Sequence, residues 1–318
     1  MERVTIDDLL KGAAKIAVTG HVRPDGDCTG ACLGLRSYLL GLNPAYMVDV
    51  YLEPAPAVFS FLQGYDEIRL YTEGEYDLCF VLDVSDAERL GRNAALLEHA
   101  GRIVCVDHHV TNAGFAPESF INPQAAATCE LLFDMMKEEQ IGRETAECLY
   151  LGIVHDTGVF KHSNTTRHTM ETAGALMEKG IDPSRLIQDT FYAKTYLQNQ
   201  LLGRALVESI VFCEGRCIVS MISRKTMEFY KAAYEDLEGI VDQLRVTTGV
   251  ECAIFLTETE FRVFKVSLRS NRRVDVSRVA SFFGGGGHIR AAGCTMTGTF
   301  YDVVNNLSEQ IVLQLESE

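Results

Sequence analysis

Lys15-Ile16-Ala17-Val18-Thr19-Gly20-His21-Val22-Arg23-Pro24-Asp25-Gly26-Asp27 passes from an apolar run into a loop that carries one imidazole and two carboxylates. A short, continuous apolar run bounded by turn residues marks a strand buried on both faces. Beyond the loop, residues 29–40 have small side chains first and a leucine-rich face after them, which predicts a helix. A buried strand feeding a helix through a polar loop is the opening unit of a parallel α/β sheet. The loop then lies at the carboxyl edge of the sheet, where open α/β sheets bind ligands.

The same pattern repeats outward. Residues 46–52, 77–82 and 102–106 predict further strands, and residues 87–100, 126–139, 144–154 and 166–179 predict helices. Strand–helix alternation with continuous apolar strands implies a parallel sheet covered by helices on both faces. Ile181-Asp182-Pro183-Ser184 is a turn signal. Residues 185–208 then predict one long helix with Leu186, Ile187, Leu197, Leu201, Leu202 and Leu206 as its apolar marks. Past it the character changes. Residues 217–222, 251–256 and 261–268 predict strands, the last alternating with Phe261, Val263, Lys265, Ser267 and Arg269 on one face. An amphipathic helix over 301–315 closes the chain. The expectation is an α/β protein with an N-terminal domain over 1–184, a connector helix over 185–208 and a smaller α/β domain over 209–318.

Bulk properties exclude several classes. The chain has 318 residues and a net charge of −15 at pH 7. That balance argues against tight, non-specific binding of long nucleic acid, which needs a basic footprint. No apolar run is long enough to span a bilayer, and the start of the chain lacks a signal-peptide pattern, so a cytoplasmic protein is expected. The ten cysteines contain no Cys-x-x-Cys pair, which points to buried, reduced thiols over a structural zinc site. Cys28 directly follows Asp27 and is a marginal candidate ligand.

Two more strands stop at an aspartate, in Val81-Leu82-Asp83 and in Val104-Cys105-Val106-Asp107-His108-His109. A helix cap needs one aspartate, so His21 with both Asp25 and Asp27 exceeds what a polar turn requires. Asp83 has a bland alternative as a turn cap, a role for which Asp86 competes. Adjacent histidines at a strand end, here His108 and His109, face opposite ways, so one can bind metal while the other meets substrate. Asp156 ends an apolar helical run, where a carboxylate is electrostatically unfavourable unless a cation offsets it. His155 beside it fits a supporting role. Together these edges offer oxygen and imidazole donors for two divalent metals. Near the other end, Gly284-Gly285-Gly286-Gly287-His288-Ile289-Arg290 exposes consecutive backbone N–H groups as a candidate anion nest, running into a small-residue helix. Arg269-Ser270-Asn271-Arg272-Arg273 adds donors upstream.

In order and spacing, His21…Asp25-x-Asp27, Asp83, Asp107-His108-His109, Asp156 and the motif over 284–293 resemble the DHH/DHHA1 phosphoesterases. Within them the chain is most similar to the bifunctional oligoribonuclease and phosphoadenosine-phosphate phosphatase branch, the nanoRNases. The resemblance implies a catalytic DHH domain followed by a DHHA1 domain, with the active site in the cleft between them. It implies two divalent ions, Mn²⁺ foremost with Mg²⁺ as the alternative. His21 and Asp25 would hold one ion, Asp27, His108 and Asp156 the other, and Asp83 both. Asp107, His108 and His109 would form the catalytic set, with His109 facing the substrate phosphate. Arg269, Ser270, Gly285, Gly286, Gly287 and His288 would bind the rest of the nucleotide. Ala31 and Ile289 depart from the branch's usual residues without removing a ligand.

The activity so implied is hydrolysis of short RNA and dinucleotides, together with removal of the 3′-phosphate of phosphoadenosine phosphate. The alternative is a phosphodiesterase of cyclic dinucleotides or their linear products. The resemblance admits a homodimer, and implies neither a membrane nor a long duplex as partner. A RecJ-like exonuclease would need a basic groove, and a pyrophosphatase has no use for the glycine motif. A non-enzymatic nucleotide sensor need not keep every carboxylate.

Overall fold

The computed structural model describes residues 4–72 and 74–316, and the chain divides into two compact units between Ala193 and Lys194. In the first unit, β1 (Lys15–Thr19), β2 (Met47–Tyr51), β3 (Tyr76–Leu82), β4 (Ala100–Asp107) and β5 (Glu118–Ile121) form one sheet in the order β2-β1-β3-β4-β5. Every pairing is parallel, as the continuous apolar runs predict. Alternate strand residues feed two cores. Ile16, Val18, Phe80, Leu82, Val104 and Val106 pack with the helices Gly26–Leu42, Thr128–Met135 and Arg143–Asp156. Ala17, Cys79, Val81 and Cys105 face the other way, toward Leu90 and Leu96. Because strands run parallel, β1, β3 and β4 all end at the same edge, and their following residues meet there.

The Gly26–Leu42 helix is buried along most of its length because it lies directly on the Arg143–Asp156 helix. Gly30 permits this approach: a Cβ there would sit 2.4 Å from the Cys148 carbonyl oxygen. Close packing of these two helices sets the end of one, Asp156, beside the start of the other.

Two local expectations are corrected, and one strand, β5, answers to no expectation. Residues 87–100 are not one helix. Residues Ala87–Ala95 form 3₁₀ turns broken at Gly91, whose φ of 55° no regular helix contains, and a short helix follows over Leu96–His99. Strand β5 is short and half-exposed, with no apolar run to announce it. The single helix over 185–208 is interrupted. Helix Pro183–Ile187 continues as a π turn over Gln188–Tyr192, and Ala193 is extended. Thr195 then starts a new helix, Tyr196–Val207, with a capping box: its hydroxyl accepts from Gln198 N at 3.1 Å, and Gln198 Oε1 accepts from Thr195 N at 2.9 Å.

The second unit is a six-stranded sheet in the order β10-β11-β9-β8-β7-β6, where β6 is Ile210–Phe212, β7 Cys217–Ile222, β8 Cys252–Glu260, β9 Val263–Ser270, β10 Gly286–His288 and β11 Ala291–Thr297. Only β7 and β8 pair in parallel. Along β9, Phe264, Val266 and Leu268 are buried while Val263, Lys265, Ser267 and Arg269 are more open, as alternation predicts. Helices Val276–Phe282 and Phe300–Leu315 cover one face, and Tyr196–Val207 and Ile240–Arg245 the other. The residues after His288 form strand β11 where a small-residue helix was expected. Cross-strand pairing with β9 overrides the helix preference of their alanines. Among the described residues, no helix is long and apolar enough to cross a membrane.

Candidate metal centre

His21 follows β1 and is buried. Its Nδ1 lies 2.9 Å from its neighbour's carbonyl oxygen, Val22 O. A carbonyl only accepts, so Nδ1 carries a proton and Nε2 is the ring atom left to face the cluster. That Nε2 lies 3.6 Å from Asp25 Oδ2 and 3.4 Å from Asp83 Oδ2. Asp25 is the N-cap of the Gly26–Leu42 helix. Its Oδ1 accepts from Asp27 N and Cys28 N, each at 3.1 Å, leaving Oδ2 for the cluster. The bland role and the ligand role therefore use different oxygens of one carboxylate. Burial opposes ionisation of Asp25, but His21 and the helix N–H groups outweigh it and hold its pKa at about 2.

Asp27 is fully buried and serves a second helix. The Thr128–Met135 helix has Ala127 at its N-cap, with no side chain to accept from its first N–H groups. Asp27 supplies the missing acceptor from a distant part of the chain: Oδ2 accepts from Thr128 N at 2.6 Å and Oδ1 from Cys129 N at 3.0 Å.

Asp83 stands just past the end of β3 with a φ of 60°, a left-handed conformation that costs a non-glycine residue energy. Thr128 Oγ1 donates to its Oδ1 at 3.0 Å. The same Oδ1 lies 3.6 Å from His108 Nε2, while Oδ2 faces His21. One carboxylate thus connects the two histidines. His108 turns Nδ1 toward Ala125 O at 3.3 Å and Nε2 toward three carboxylates: Asp156 at 3.0 Å, Asp83 at 3.6 Å and Asp27 at 3.9 Å. Asp156 is the last residue of its helix, as expected.

His109 is arranged the opposite way. Its Nδ1 lies 2.7 Å from Asp107 Oδ1, which directs Nε2 elsewhere. Asp107 is fully buried, and its Oδ2 accepts from Asn112 Nδ2 at 2.8 Å. Burial works against the Asp107 charge, yet His109 and Asn112 keep its pKa below the usual carboxylate range. Asn112 and Thr128 belong to the cluster without standing out in the sequence. An Asn three residues past an Asp-His-His run is the only sequence signal for the first, and Thr128 has none.

His155 keeps a supporting place. Its ring packs between Phe59 and Phe191, Nε2 bonds Thr190 Oγ1 at 3.0 Å, and burial pushes its pKa down to about 4. Cys28 lies near His21 and Asp83, and burial pushes its thiol well up.

Among the described residues three groups bring their ligand atoms together, His21 with Cys28 and Asp83, Asp83 with His108 and His109, and Asp27 with His108 and Asp156, while Asp25 Oδ2 lies 3.6 Å from His21 Nε2. Within each group the ligand atoms all lie within 4.8 Å of one another. Burial and mutual repulsion with Asp83 push Asp27 well above the usual carboxylate range, and Asp156 is raised as well. For His108, burial disfavours charge, but the surrounding carboxylates win and lift it to about 10. The crowded carboxylates thus draw positive charge onto the imidazole that faces them, and a divalent cation bound to the same oxygen and nitrogen donors would supply that charge in place of the proton.

In the second unit the expected nucleotide-binding residues are engaged within the unit itself. Arg269 Nε lies 3.3 Å from Asp242 Oδ1. Ser270 is buried, and its hydroxyl donates to Val274 O at 2.6 Å. The glycine run is not a nest of free N–H groups. Gly284 N donates to Ser281 O at 3.0 Å and Gly285 N to Ala280 O at 2.9 Å, ending the preceding helix, while Gly286, Gly287 and His288 pair with β11. Gly284–Gly286 line an open groove of about 680 Å³ with Lys265, Ser267 and Thr295.

Residues 15–153 match the model of the DHH family, N-terminal domain, and residues 215–316 that of the DHHA1 domain. The bifunctional oligoribonuclease and PAP phosphatase NrnA of Thermus thermophilus is 31% identical over 304 residues, covering 93% of this chain and 89% of the relative. The protein of the same name from Bacillus subtilis is 26% identical over 281 residues, with 87% of each chain covered. Among solved structures, an exopolyphosphatase-related protein from Bacteroides fragilis is similar, with a TM-score of 0.87 and 26% identity over 96% of this chain and 94% of that one.

Proposed function

Since the chain belongs to the DHH/DHHA1 family of phosphoesterases, we propose that it hydrolyses short oligoribonucleotides to mononucleotides and removes the 3′-phosphate of phosphoadenosine phosphate. The observation that carries this is Asp83, whose two oxygens face two separate imidazole-and-carboxylate groups. In this reading His21, Asp25 and Asp83 hold one divalent ion, and Asp83, Asp27, His108 and Asp156 a second, with Mn²⁺ preferred. Such ions polarise phosphoryl oxygens and make water acidic enough to act as a nucleophile near neutral pH.

The chain's own residues do the rest. Asp27 and Asp25 each anchor a helix start as well as a ligand position, so the donors are fixed before substrate arrives. Asp107 orients His109, whose Nε2 meets the substrate phosphate. Residues 1–184 are the catalytic part, and 209–318 bind the remainder of the nucleotide through Arg269, Ser270, His288 and the glycines Gly285, Gly286 and Gly287. The names of the two curated relatives support the choice of substrates. Ten unpaired cysteines fit a reducing compartment, and we place the protein in the cytoplasm.

The test is phosphate and nucleotide release with Mn²⁺ from phosphoadenosine phosphate, linear diadenylate, a short RNA ladder and a cyclic dinucleotide. The controls are a chelator and Asp83→Ala. Loss of diadenylate and bisphosphate, abolished in both controls, is expected. Turnover of the cyclic dinucleotide alone, or turnover that survives chelation, would refute the reading.

A further inference from the structure

Asn112 lies in the loop after β4, its backbone N–H donating to His109 O at 3.2 Å. Its side chain is buried and both its polar atoms are used: Nδ2 donates to Asp107 Oδ2 at 2.8 Å and to Val84 O at 2.9 Å, and Oδ1 accepts from Gly114 N at 2.8 Å. With Oδ2 so anchored, the Asp107 carboxylate cannot turn, and Oδ1 stays on His109 Nδ1 at 2.7 Å. A competitor stands nearby, since Asp83 Oδ1 lies 3.6 Å from the same Nδ1. Without a fixed Asp107, the ring of His109 has a second carboxylate to follow, one placed among the proposed metal ligands.

We propose that Asn112 is a positioning residue: it holds Asp107 so that His109 donates its Nδ1–H to Asp107, not to Asp83, and presents Nε2 to the scissile phosphoryl group. What His109 meets rests on the phosphoesterase reading, whereas the orientation of its ring does not.

Two measurements on the full chain test this. In Mg²⁺-loaded wild type, the His109 Nδ1–H proton appears far downfield and exchanges slowly, as a proton held by a buried carboxylate does. In Asn112→Ala it is broadened or lost. In kinetics, Asn112→Ala lowers kcat by about 10- to 100-fold, the usual range for groups that orient a functional histidine. KM and calorimetric Mg²⁺ affinity stay near wild type. If Asn112 acts through His109, the Asn112→Ala/His109→Ala double variant is no slower than His109→Ala alone. Additive losses, a fall in metal affinity equal to the fall in kcat, or an unchanged Nδ1–H signal would overturn the inference. Should Asn112→Ala fail to fold, Asn112→Ser replaces it, and absence of the downfield proton from wild type would by itself refute the proposal. If no phosphoester is turned over, the phosphoesterase reading fails while the proton signal still decides the orientation.

Discussion

Gly152→Ala puts the helix packing behind the metal centre to the test. Gly152 lies in the Arg143–Asp156 helix, where a Cβ would stand 2.3 Å from Cys129 Sγ, 2.6 Å from Asp27 Oδ1 and 3.0 Å from Cys129 Cβ. To restore ordinary contact, the thiol and the carboxylate must each retreat by about 1 Å. Helix propensity favours alanine by ~1 kcal/mol. Against it stand ~1–3 kcal/mol for overpacking. The stretched bonds from Thr128 N and Cys129 N to Asp27 add to this, hydrogen bonds to charged groups being worth ~1.5–3 kcal/mol each. The balance is a destabilisation of roughly 1–4 kcal/mol, or several degrees in Tm for a unit of this size. Activity falls further, because a displacement of ~1 Å in a catalytic array costs on the order of 100-fold. Gly174→Ala is the control. It sits in the exposed part of helix Arg167–Met177 with nothing within 4 Å of a Cβ, and gains up to ~1 kcal/mol from propensity with full activity. Urea unfolding and Mn²⁺-dependent phosphate release are measured on both. If Gly152→Ala matches Gly174→Ala in stability and rate, the contact with Asp27 does not position the site.

His155 is held neutral by burial, with a pKa pushed down to about 4 from the ordinary ~6.5. Between those values the unfolded chain binds the extra proton, so stability contributed by His155 is full above pH ~6.5 and is lost as pH falls toward 4, by up to ~3 kcal/mol. Urea unfolding of chelator-treated protein from pH 7.5 to 4.5 should show a steeper loss for wild type than for His155→Gln, and parallel curves would refute the assignment. In the second unit the glycines are not equivalent. A Cβ on Gly285 would lie 2.2 Å from Gly293 O, whereas one on Gly286 meets nothing within 4 Å. Thermal unfolding should therefore show Gly285→Ala strongly destabilised and Gly286→Ala near wild type. A raised KM in a stable Gly286→Ala would mark that backbone as a substrate contact, and equal Tm losses would contradict the packing account.

Much of the first unit could be read directly from the chain. The apolar runs ending at His21, Asp83 and Asp107 locate strand ends because burial on both faces leaves no room for a charge before the edge. Residues 87–99 could not be read this way, since Gly91 breaks a pattern whose periodicity alone suggests a helix. Strands β10 and β11 escaped for a related reason: glycines and alanines carry almost no period, and only pairing with β9 makes them strands.

The amino-acid sequence by itself determined that carboxylates and imidazoles would gather at one sheet edge, because parallel strands with covered faces have a single carboxyl edge. Tertiary structure alone decided which atom faces which. Asp27 closes the start of a helix a hundred residues away, and Asp83 divides its oxygens between His21 and His108. His109 turns its Nδ1 to Asp107 while its neighbour His108 turns its own to a backbone carbonyl. These choices depend on distances set when helices 26–42, 128–135 and 143–156 pack together. Hydrogen bonds over such separations leave no periodic trace in the chain, because a single donor and acceptor suffice to make each one.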